Sequence, residues 1–109
     1  MQENSADAID RGTRELVESV LASNNLVARD VISILFTMSP DLNAAFPAAS
    51  ARALGFANVP LICAVEIDVP GALERTIRLL AHVETTLSPE EISHIYLHGA
   101  KSLRTDIAQ

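Results

Sequence analysis

The chain holds 109 residues, 49% of them hydrophobic and 20% charged, which is a single domain's worth of chain with enough apolar content to bury one core and too much for a disordered segment. Its formal charge of −6, with no clustering of Lys or Arg, argues against nucleic acid or an anionic membrane surface as the partner. A lone cysteine, Cys63, excludes an internal disulfide framework, and no apolar run approaches the roughly 18–20 residues of a membrane span.

The opening Met1–Asp7 stretch has neither the basic nor the apolar region of a secretory leader, so a cytoplasmic protein is expected. Ser5 to Ser23 then reads as an amphipathic helix. Ile9, Thr13, Leu16, Val17, Val20 and Leu21 recur at helical spacing, with Asp10, Arg14, Glu15 and Glu18 between them. Ser5 supplies the N-cap, Asp7 suits the first turn, and Asn24-Asn25 supplies the stop. Val31 to Thr37 is β-branched and nearly all apolar, the composition of a strand covered on both faces. Ser39-Pro40-Asp41 is turn chemistry. Pro47 and Gly55 then bracket a short helix as its first position and its C-terminal cap.

Pro60 opens a second strand, Leu61 to Ile67, closed by Pro70-Gly71. Leu73 to Thr85 has helical composition, yet Ile77, Leu79, Ala81 and Val83 alternate with Arg78, Leu80, His82 and Glu84. The alternation favours a strand with one buried face. Ser88-Pro89-Glu90-Glu91 starts a helical turn, His94 to Leu97 a last short strand, and Gly99 to Leu103 a final turn. His94 and His98, four apart on a strand, would stand about 13 Å from one another, too far to share one zinc. No Gly-rich phosphate loop, Cys-x-x-Cys pair or Ser/His/Asp arrangement is present.

Three segments in order and spacing, FTMSPDLNAAFPAASAR (36–52), VPLICAVEIDVPGALERTIRLL (59–80) and HIYLHGAKSLRTD (94–106), resemble the AroH-type chorismate mutases. The resemblance implies a mixed α+β fold, a mixed sheet packed against one long and one short helix, assembled as a homotrimeric pseudo-barrel with active sites between subunits. It implies the Claisen rearrangement of chorismate to prephenate in Phe and Tyr biosynthesis, without metal, organic cofactor or covalent intermediate. Chorismate is a dianion whose ether oxygen gains negative charge as the carbon–oxygen bond opens. Orientation and fixed positive charge are therefore the two available levers, and one well-placed donor is worth about 3–4 kcal/mol.

The resemblance places Arg78 against that oxygen and a carboxylate, Glu66 as acceptor from the ring hydroxyl, and Tyr96 as a phenol for the side-chain carboxylate. Taken alone, Arg78 reads as an exposed strand arginine, Glu66 as a solvated strand residue and Tyr96 as an amphipathic rim aromatic. Phe46, Ala48, Arg52, Leu61, Ile62 and Cys63 match a wall that the family draws from the neighbouring subunit. Leu103 and Arg104 match a segment closing over the entrance. Cys63 by itself is a small buried hydrophobe. One check is independent of the resemblance: Cys63 and Glu66, three apart on a strand, point to opposite faces, so one pocket in one chain can hardly use both.

Two departures stand out. Many members of the family carry a lysine where this chain has Ala49; loss of that charge should weaken attraction of a dianion more than catalysis. Members also begin with a strand bearing an Arg-Gly-Ala-type stretch, whereas Met1-Gln2-Glu3 opens almost directly onto the helix. Either the sequence starts at an internal Met of a competent enzyme, or the strand is genuinely missing, in which case the chain is expected to trimerise and to be a weak mutase. The competing expectation is a catalytically silent trimeric module that binds an aromatic-pathway metabolite or a partner protein.

Overall fold

A computed structural model describes residues 3–104. Helix α1 (Ala6–Ser23) begins at Ser5, whose side chain accepts from the Ala8 N–H at 3.1 Å, with Asp7 in the first turn. The cap supplies one partner for the orphan donors of a helix start. The helix stops at Asn24, which does more than terminate it. The buried Asn24 amide donates to Val20 O at 2.9 Å and Ser93 O at 3.0 Å, and its oxygen accepts from Ser93 N at 2.7 Å. The C-terminal third of the chain is thereby clamped to the end of α1.

Strand β1 (Val31–Met38) lies at the centre of a three-stranded sheet, parallel to β2 (Leu61–Val65) and antiparallel to β3 (Ile77–Val83). Parallel neighbours need a crossover, and α2 (Pro47–Ala51) with the wider turn Arg52–Phe56 provides it. Pro47 occupies the first position of α2, where its missing N–H does no harm. Gly55 ends the turn at φ +106, a conformation that favours glycine.

Ile34 and Phe36 of β1 pack with Val17 of α1, Ala48 and Ala51 of α2, and Phe56, and Leu79, Ala81 and Val83 of β3 close against them. The alternation read from the Leu73–Thr85 stretch therefore outweighs its helical composition. Pairing β3 with β1 and burying one of its faces against the helix-side core settles a choice that propensity leaves open.

Several boundaries differ from the sequence reading, among them the end of the short helix, which α2 reaches at Ala51 before the wider turn that contains Gly55. The β3 strand starts at Ile77 rather than Leu73, and β2 ends at Val65 rather than Ile67. The bonds Ser39 N–H to Thr76 O (2.9 Å) and Glu66 N–H to Met38 O (2.8 Å) lie where β1 ends, and residues beyond them have no strand to pair with among the described residues. His94–Leu97 is not a strand but a single bridge residue, His94. Four residues without a neighbouring ladder cannot fix an extended conformation alone. The expectation that β1 is covered on both faces also fails within one chain. Its helix-side face is buried, whereas on the opposite face Leu35 and Thr37 are half-buried beside Ile62 and Leu80, which are 64% and 59% exposed.

Candidate active site

The open face of the sheet gathers the polar chemistry. Thr37 of β1 is in register with Ala64 of β2 and Arg78 of β3. Glu66 follows β2 directly, and its side chain turns to the same face. One carboxylate oxygen accepts from the Thr37 hydroxyl, and the other stands 3.4 Å from Arg78 Nη1. Arg78 is about half exposed and Glu66 about one quarter, so the pair is partly shielded and is worth at most about 1 kcal/mol to the free protein.

Glu66 and Arg78 line a cleft of about 530 Å³ bounded by the end of β1, the 66–76 loop and Leu103. Its rim is held by a local network. Ser39 Oγ accepts from Thr76 N–H at 2.9 Å, and Asp41 accepts from Arg75 N–H at 2.9 Å, where Arg75 adopts φ +48. A hydrogen bond from the Ser39 side chain and, more weakly, the Arg75 N–H hold the Asp41 carboxyl below its ordinary 3.8. The lip where β1 hands over to β3 is thus fixed by side chains. The loop itself turns at Gly71, φ +87. Asp41, Asp68 and Glu74 also line the cleft, so Arg78 is the basic side chain among its walls.

The expected site residues fall into separate groups. Glu66, Arg78 and Leu103 share the cleft. Tyr96 is half-buried in the segment between His94 and the 3-10 turn His98–Ser102, outside the cleft lining. Phe46 is 71% exposed at the start of α2, and Arg52 is exposed at its end. Ile62 is exposed on the open face, Ala48 is buried in the core, and Leu61 and Cys63 pack partly against that core. Arg104 is exposed. Cys63 and Glu66 lie on opposite faces of the sheet, as their spacing requires. Sequence reasoning read Ser39 and Asp41 only as turn residues and Thr37 only as part of a nearly apolar strand, none of them as site residues. The available signal was a hydroxyl near the end of that strand, two residues ahead of the Ser-Pro-Asp turn.

His98 Nε2 lies 3.0 Å from Glu15 Oε1, on a helix remote in sequence. Among the described residues no group of three or more His, Cys, Asp and Glu is placed to hold a metal ion, and no helix is long and apolar enough to cross a membrane.

The family model for chorismate mutase type I matches residues 1–107. The chain belongs to the type I chorismate mutase family. It is 39% identical over 108 residues to a chorismate mutase AroH of Thermus thermophilus, covering 98% of this chain and 88% of that protein. It is 34% identical over 109 residues to the chorismate mutase AroH of Bacillus subtilis, covering 99% and 86%. A solved chorismate mutase from Clostridium thermocellum superposes with a TM-score of 0.91 at 46% identity, over 93% of this chain and 90% of that one. The mixed α+β architecture is therefore that of a chorismate mutase.

Proposed function

We propose that the chain rearranges chorismate to prephenate in the cytoplasm, at clefts completed between the subunits of a homotrimer. The observation that carries this reading is the Arg78–Glu66 pair on the open sheet face, beside a cleft large enough for a small dianion. Arg78 is the cation that the reaction needs. It keeps its charge when water is excluded, and its several donors can serve both a carboxylate and an ether oxygen gaining charge. Glu66 orients the guanidinium in the free protein and accepts from the ring hydroxyl when substrate is bound. The Arg78–Glu66 contact is weak enough for a substrate anion to take over the guanidinium at little cost.

The trimer is supported by what one chain leaves unused. Ile62 and Leu80 are exposed on the face that carries the pair, and Phe46 and Arg52 stand exposed away from its cleft. A neighbouring copy gives the exposed Phe46 and Arg52 a place opposite the pair, with Tyr96 and Arg104 at the carboxylate end and the entrance, whereas Ala48, Leu61 and Cys63 lie in or against the core of their own chain and support that wall from behind. A silent module binding the same anion would use the same charged pair, so the enzyme reading is preferred because the chain belongs to the chorismate mutase family and matches relatives named as chorismate mutases. No metal or organic cofactor enters the scheme.

The test follows the loss of chorismate absorbance with wild type and Arg78→Ala. Removal of the guanidinium is expected to lower kcat by about a hundredfold or more. Equal rates for the two proteins would take Arg78 out of the mechanism.

A further inference from the structure

We infer that Thr37 is a positioning residue for the rearrangement, holding Glu66 so that one carboxylate oxygen is occupied and the other stays available; this rests on the reading of Glu66 and Arg78 above. Thr37 lies on the central strand, between β2, which leads into Glu66, and β3, which carries Arg78 in register with it. Its hydroxyl donates to Glu66 Oε2, whereas Oε1 is the oxygen near Arg78 Nη1. The backbone reinforces the arrangement, because Glu66 N–H donates to the carbonyl of Met38, the residue after Thr37. Both ends of Glu66 are therefore tied to two consecutive residues of β1.

The two carboxylate oxygens consequently have different work. Oε2 is satisfied within the protein, and Oε1 is left to face the guanidinium and the incoming ring hydroxyl. Without the hydroxyl, a glutamate side chain can swing both oxygens onto the arginine fork. The resulting two-bonded pair is stronger and better aligned, and it withdraws Arg78 from the substrate. Threonine suits this post because its β-branch restricts χ1 and is well accommodated in a strand. It is also the one open-face residue of β1 whose neighbours on both sides lead to the reacting groups.

The experiment is a double-mutant cycle read in steady-state chorismate turnover, with the folded state of each variant checked by circular dichroism. Thr37→Val, which keeps shape and removes the donor, is expected to lower kcat/KM about tenfold, mostly through kcat. Thr37→Ser, which restores the donor, should stay within about threefold of wild type. In a Glu66→Gln background, Thr37→Val should have almost no further effect, because the group it positions is already altered. A merely structural threonine would give the same loss in both backgrounds, and that result overturns the inference, as does a wild-type rate for folded Thr37→Val. If the valine variant does not fold, Thr37→Ala takes its place in the cycle with the same expectations. Chorismate left untouched by the wild-type chain removes the proposed activity and this role with it. That result is distinct from turnover indifferent to the Thr37 hydroxyl.

Discussion

The two faces of one sheet use the same strands for opposite purposes, and two threonines show the difference. Thr13 of α1 is fully buried on the helix side, and its hydroxyl oxygen has no hydrogen-bond partner among the described residues. Thr37, on the open side, is only half-buried, yet its hydroxyl is committed to Glu66. On the helix side apolar area is the currency, and a polar atom is tolerated at a small loss. On the open side polar atoms are ordered by one another, and the apolar residues are the ones left without cover. Apolar packing is concentrated on one face and the polar network, with the proposed site, on the other, so mutations should separate the two.

The largest expected separation is at Phe36, fully buried among Ile34, Ala51 and Phe56. Phe36→Ala should destabilise the fold by about 3–5 kcal/mol, measurable as a lowered denaturant midpoint. A smaller loss would show that the core collapses around the site. Leu80 is a strand residue of similar apolar character on the other face, but 59% exposed. If copies assemble through this face as proposed, Leu80→Ser should leave secondary structure intact and shift sedimentation from the proposed trimer toward single chains, losing about 1–2 kcal/mol of burial per copy. A trimer unaffected by Leu80→Ser would mean that copies do not meet through this face. The smallest effect is expected at Thr13. Thr13→Val fills the same space without an unpartnered hydroxyl and should stabilise by about 1 kcal/mol, a rise of a few degrees in Tm. A fall would show that the hydroxyl is satisfied in solution.

Much of this was readable along the chain. The Ser5 cap, the Asn24 stop, Pro47 at the first position of α2 and Gly55 in the turn that follows it are local choices. Each depends on a few neighbouring atoms, which is why sequence rules locate them. The open-face pair was legible only in part. Arg78 and Glu66 were named through a family resemblance, since an arginine on an alternating strand is ordinarily just solvated. Thr37 was invisible as anything but a polar interruption, because its role depends on register with two strands distant in sequence.

Periodicity by itself determined that Ile77, Leu79, Ala81 and Val83 share one face and Arg78, Leu80 and His82 the other, since alternation is a property of the extended backbone. Where β2 and β3 stop, that His94–Leu97 does not become a strand, and that Asn24 clamps Ser93 were decided only in three dimensions. Strand ends are set by where a partner's hydrogen bonds run out, and a long-range amide clamp by which distant backbone arrives within reach. Neither is encoded in any local stretch. The same holds for the functional face. The chain spells out its side chains one at a time, but only pairing of β1 with both neighbours puts a hydroxyl, a carboxylate and a guanidinium within contact of one another.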